Sequence, residues 1–197
     1  MTRLYANLTT TALAAIAAAL TLAAALPAAG PAHAAETAVA PEKNPPGDIP
    51  DDQVFVTYRA PQGFSLKVPE GWARRDMPGG VDFADKYGEI VVAVAPATAA
   101  PTLAEVRQTD IAELAKADRA VTVAASAALK LPVGPAVKIA FTSNSEPNAV
   151  TGKRIRLENE RFVIGGPGKR ATLTLSAPAG ADNADQWKLV AESFRWN

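Results

Sequence analysis

The hydrophobic period along the chain first becomes regular at Val54. Val54-Phe55-Val56-Thr57-Tyr58 and Phe64-Ser65-Leu66-Lys67-Val68 are rich in β-branched and aromatic residues, and Arg59-Ala60-Pro61-Gln62-Gly63 between them is turn chemistry. Phe64, Leu66 and Val68 alternate with Ser65 and Lys67, which predicts a strand with one buried and one wet face, ended by Pro69-Glu70-Gly71-Trp72. Val81–Asp85 and Glu89–Val94 flank Lys86-Tyr87-Gly88 and predict a hairpin in which the glycine supplies a positive φ. Over Thr102–Ala117 the period becomes helical: Leu103, Val106, Ile111 and Leu114 form a stripe, and Thr102 and Glu105 fit a capping box. Strand-like composition returns over Val121–Leu131, Pro135–Thr142, Lys153–Ile164 and Arg170–Ala177. Asn183 and Gln186 read as a second capping pair, opening a helix that carries Trp187, Val190, Ala191 and Phe194 on one stripe.

The N-terminal region follows other rules. Arg3 is followed by an uncharged Ala/Leu-rich run over Ala12–Leu26, then Pro27, Gly30 and Ala32-His33-Ala34, the pattern of an export signal cleaved after Ala34. An uncleaved anchor and a buried Ala-rich helix are the alternatives for residues 1–34. Residues 35–53 hold Pro41, Pro45, Pro46, Gly47 and Pro50 without any apolar period, and predict an extended tether or disordered leader. Residues 54–197 are long enough for one domain around a single core.

Strands in neighbouring hairpins, one helix midway and one at the end, predict an α+β fold: an antiparallel β-sheet covered by helices, an α/β/α sandwich. A β-sandwich with peripheral helices is the alternative. The run Gly63–Trp72, with its F-x-x-x-x-P-x-G-W spacing, the Asp82-Phe83 strand with the Gly88 hairpin, and the closing Ser193-Phe194-Arg195-Trp196 resemble the PsbP-like family of PsbP, DcrB-type and LpqN-type proteins. The resemblance implies a non-catalytic binding or assembly module. The chain departs from the lipoprotein members in having no cysteine after the signal.

Composition narrows the chemistry. The 197 residues include 20 Lys+Arg, 20 Asp+Glu, one His and no Cys, with 48% apolar residues. Zero net charge gives no excess for a phosphate backbone, so nucleic acid is not an expected partner. Without cysteine there is no disulfide, thiol nucleophile or lipid anchor, and His33 leaves with a cleaved signal. The expectation is a secreted protein of the cell envelope or extracellular space, not an enzyme, with no cofactor and no stable membrane span after cleavage. Its expected partner is a protein or an anionic envelope component.

The partner-binding residues nominated from sequence are Arg154, Arg156, Arg161, Lys169 and Arg170, with Asn144 and Asn148 in a turn-rich recognition loop over Ser143–Gly152. In a regular strand, Arg154 and Arg156 project together and form a basic solvent face. Gly165-Gly166-Pro167-Gly168-Lys169-Arg170 lacks the P-loop spacing and reads as a hairpin turn. Asp82, Asp85 and Glu89 are the best-placed oxygen ligands for a calcium-stabilised module, and acids sharing a cleft would serve an extracellular carboxylate-dependent hydrolase. Trp72 and Trp187 read as core residues, leaving Trp196 the freest of the three tryptophans.

Overall fold

The computed structural model describes residues 36–117 and 119–197, and the expected signal segment, 1–34, lies outside the described residues. The first hairpin pairs β1 (Phe55–Ala60) with β2 (Phe64–Pro69). A meander of β3 (Ala73–Met77), β4 (Gly80–Ala84) and β5 (Glu89–Pro96) follows, then α1 (Leu103–Gln108) and α2 (Asp110–Lys116). A second meander runs through β6 (Thr122–Leu131), β7 (Gly134–Asn144), β8 (Arg156–Gly166) and β9 (Lys169–Pro178), and α3 (Ala184–Ser193) and β10 (Arg195–Trp196) close the chain.

The two meanders join edge to edge. β5 pairs with β9 in register Ile90↔Leu175 and Val92↔Leu173, giving an antiparallel sheet of order β3-β4-β5-β9-β8-β7-β6. One face of that sheet buries Ile90, Val92, Phe162, Leu173 and Leu175 against Phe64, Leu66 and Val68 of β2, Val190 of α3 and Phe194 just after it. Phe64 and Phe194 stack with ring centroids 5.4 Å apart. The opposite face packs Val137, Ile139, Phe141 and Val163 against Val106 and Leu114 of α1 and α2. The fold is therefore α+β, an antiparallel sheet between two layers. One layer is helical; the other combines α3 with the small sheet β1-β2-β10.

Local chemistry departs from expectation in several places. The helix expected over Thr102–Ala117 breaks at Thr109, whose φ of −107° and ψ of −81° interrupt it while its hydroxyl donates to the Asp110 carboxylate. Only half of the first capping box forms: the Thr102 hydroxyl accepts from Glu105 N–H, but the Glu105 carboxylate turns to Arg170. Asn183 makes no side-chain cap at all, because its amide is spent on the segment before β1. Gly88 is needed for space and not for a positive φ, since a Cβ there would lie 2.7 Å from Trp72 Cη2.

Residues 36–53 contain no helix or strand, but they are bonded along the domain. Asn144 accepts from Val39 N–H at 3.1 Å and donates to Thr37 C=O at 2.9 Å. Asn183 does the same one stretch later, accepting from Ile49 N–H at 2.7 Å and donating to Gly47 C=O at 3.0 Å. Each buried amide thus reads the N–H of one residue and the C=O of the residue two before it, as a neighbouring strand would. Ile49 enters the main core.

Candidate functional site

The helical layer does not cover its whole face of the sheet. α1 and α2 lie over Val137 and Val163, and beyond the end of α2 a cavity of about 280 Å³ remains between helix and sheet. Its floor is made of alternate residues of four adjacent strands, all projecting to one side. One row is Glu89↔Ser176↔Asn159↔Phe141 and the next is Val91↔Thr174↔Arg161. Leu114 of α2 and Leu157 of β8 add apolar wall, and Ser143 and Arg119 complete the polar side.

The floor is a hydrogen-bonded network. Ser176 Oγ donates to Asn159 Oδ1 at 2.7 Å, and Asn159 Nδ2 donates to Ser143 Oγ at 3.1 Å. Arg161 Nε donates to Thr174 Oγ1 at 3.1 Å, with its guanidinium 5.7 Å from the Phe141 ring centroid. Its two terminal nitrogens have no acceptor among the described residues. Burial holds this guanidinium below the usual arginine range, against the opposing field of Asp110 and Glu113. Across the floor, Glu89 is held above the usual carboxylate range, first by burial and then by the charge of Asp82, with Arg119 and Arg75 opposing.

This arrangement can bind charged groups; among the described residues it does not assemble the two-acid cleft of a hydrolase. Glu89 reaches the cavity, whereas buried Asp82 receives Arg75 Nη2 at 2.7 Å and Nε at 3.0 Å. Nor do the calcium candidates converge. Asp85 Oδ1 accepts from Tyr87 N–H and Gly88 N–H in the β4–β5 turn, and no cluster of three metal-ligating side chains occurs among the described residues.

The nominated basic residues divide among three places. Arg156 is buried, donating to Ala120 C=O at 2.8 Å, Asn144 Oδ1 at 3.1 Å and Thr142 Oγ1 at 2.6 Å. Arg154 precedes β8, donates to Ser145 C=O and pairs with Glu36 at 3.3 Å. The basic solvent face expected from these two is therefore not formed. The ladder starts only at Arg156, and three acceptors offset the cost of burying its charge. Asn144, Arg154 and Arg156 thus meet around the segment at residues 36–39.

At the far end of β8 and β9, Lys169 Nζ donates to Gln62 C=O at 2.9 Å and lies 4.7 Å from the Trp196 ring. Arg170 pairs with Glu105 at 2.9 Å and Asp110 at 3.2 Å. Trp196 is not free: its Nε1 donates to Gly165 C=O, and its indole occupies the space a Cβ on Gly166 would need. Asn148 organises the exposed loop, its Oδ1 accepting from Val150 N–H and Thr151 N–H at 3.0 Å each. Of the nominated residues, only Arg161 lines the cavity. Glu89 entered the sequence reading only as a calcium ligand and Ser143 only as the start of the recognition loop; Asn159 and Ser176 were not nominated for partner binding, and the one signal for them was their polarity at inward strand positions.

No family model matches the chain, and no curated protein matches it in sequence. Solved structures do match it in three dimensions. The cyanobacterial PsbP (CyanoP) of Synechocystis sp. superposes with a TM-score of 0.51 at 18% identity, over 77% of this chain and 98% of its own. The Ran-binding protein Mog1p of Saccharomyces cerevisiae gives 0.50 at 10% identity, over 73% and 96%. A Bacteroides thetaiotaomicron protein gives 0.48 at 15%, over 72% of this chain and 48% of its own, so the chain spans about half the length of that protein. The domain has the PsbP-like fold that the Gly63–Trp72 and Ser193–Trp196 segments resemble. No helix among the described residues is long and apolar enough to cross a membrane.

Proposed function

We propose that the protein is an exported, non-catalytic binding module of the cell envelope or extracellular space, and that the cavity beside α2 is its ligand seat. One observation carries this reading: Arg161 is largely removed from water and aimed into a preformed cavity, with two guanidinium nitrogens unspent among the described residues. Guanidinium nitrogens that the protein leaves to solvent gain a charge-assisted pair when an acceptor enters the cavity, and a bound anionic group is the acceptor this geometry suits. The PsbP-like fold supports the reading only as a scaffold, because one fold hosts many functions. Export rests on the Ala12–Leu26 run and the Ala32-His33-Ala34 site.

The test is ligand capture. The purified protein is incubated with the low-molecular-mass fraction of an envelope extract and analysed by native mass spectrometry beside an Arg161→Met variant. The expected result is a saturable mass adduct on the unaltered protein and none on the variant. Adducts of equal occupancy on both, or on neither, remove the cavity from this role.

A further inference from the structure

Three charged side chains line the cavity: Arg119, which is spent on Asn144 C=O and Glu146, and two heads of opposite sign, Glu89 and Arg161, that do not meet each other. Glu89 stands on β5 and Arg161 on β8, with β9 between them, so their backbones are about 10 Å apart across the sheet and offset by one pleat. Among the described residues the Glu89 carboxylate makes no hydrogen bond or ion pair, and Arg161 spends only its Nε. A simple anion would satisfy Arg161 and leave Glu89 opposing it. A simple cation would do the reverse. Only a ligand carrying both charges, held apart, satisfies both heads at once.

The surface between the heads adds a second requirement. Thr174, on β9 between the heads, accepts from Arg161 Nε through its Oγ1 and has no acceptor for its own hydrogen among the described residues. The floor therefore offers a hydroxyl donor to a carbonyl between the heads, while Phe141, Leu114 and Leu157 offer apolar wall. The volume of about 280 Å³ is roughly nine waters' worth, at the small end of ligand sites.

We propose, on the reading that this cavity is the ligand seat, that its ligand is a short free peptide, with the terminal carboxylate on Arg161, the terminal ammonium on Glu89, the peptide carbonyl on the Thr174 hydroxyl between them, and an apolar side chain against Phe141 and Leu157. A dipeptide has these groups in this order and fits the volume. A single amino acid has no carbonyl to spare between its charges.

Isothermal titration with the dipeptide Ala-Leu, its N-acetyl derivative and its C-terminal amide tests the assignment. The free dipeptide is expected to bind, and blocking either terminus to weaken it about tenfold or more, the scale of a lost charged hydrogen bond. In Arg161→Met, blocking the carboxylate should no longer matter. In Glu89→Gln, blocking the amine should no longer matter. Each variant's thermal transition, measured alongside, establishes that it is folded. If the N-acetyl derivative binds as well as the free dipeptide, the zwitterion assignment fails while the seat stands, and the occupant is then a carboxylate such as a protein C-terminus. If none of the three probes binds, the peptide assignment fails, and the native mass measurement alone decides the seat. Binding that is unchanged in Arg161→Met overturns both.

Discussion

Glu89 pays for its position in the cavity with its ionisation. Burial and the neighbouring Asp82 charge raise its pKa in the folded protein above the value in the unfolded chain. For an acid shifted upward, the stabilising contribution is full below the unfolded pKa and is lost as pH rises through the folded one. At neutral pH, above the unfolded pKa, the folded state is therefore penalised at Glu89. Glu89→Gln keeps the shape without the charge, so its melting temperature should exceed that of the unaltered protein at about pH 7, and the gap should close by about pH 4, where the unfolded carboxylate protonates. Thermal scans at the two pH values decide it: a gap that does not change with pH would show that ionisation at Glu89 costs the fold nothing. A residue kept at the expense of stability in a cavity is the pattern of a binding group.

At the scale of elements, the contact between the helical layer and the sheet turns on one side chain. Arg170 of β9 reaches both Glu105 of α1 and Asp110 of α2, and Asp110 is 3% exposed. Removing Arg170 leaves the Asp110 charge buried with only the Thr109 hydroxyl on it, which costs about 3–5 kcal/mol. Arg170→Met should lower the urea midpoint accordingly, and Asp110→Asn should recover part of the loss by removing the stranded charge. If Asp110→Asn adds its own loss to that of Arg170→Met, the two residues are independent and the clamp does not exist. Leu114 of α2 forms part of the cavity wall, so this pair also sets how firmly that wall is held.

The elements with a clean period were legible in the sequence: β2, β4, β5, β7, β9 and the stripe of α3 all lie where alternation or helical spacing places them. β3 was not, because Arg74, Arg75 and Asp76 give it no apolar face; it persists as an edge strand through its pairing with β4 and the Arg75–Asp82 ion pair. The Thr109 break was hidden because the apolar stripe continues across it. The cavity was illegible for a topological reason: its floor gathers residues from 89 to 176, and their meeting depends on the β5–β9 pairing, which no local pattern encodes.

For the molecule as a whole, the question is where the folded domain begins. Composition places the start at Val54, since the proline-rich stretch before it buries little. The structure ties residues 36–53 to the domain at both ends of the stretch, through Asn144 and Asn183, with Ile49 in the core and Asp51 accepting from Gln186. Deleting the stretch exposes the Ile49 site and strips both buried amides of backbone partners, at a cost of several kcal/mol, partly offset by the chain entropy no longer lost. A net loss of about 3 kcal/mol corresponds to a fall of roughly 10 °C in a domain of this size. A protein beginning at Val54 should therefore melt about 10 °C below one beginning at Ala35, and Asn144→Ala with Asn183→Ala should reproduce much of the fall in the longer chain. Equal melting temperatures for the two lengths would return residues 35–53 to the status of a tether. A fall in the shorter chain that the two alanines do not reproduce would assign the attachment to Ile49 rather than to the amides.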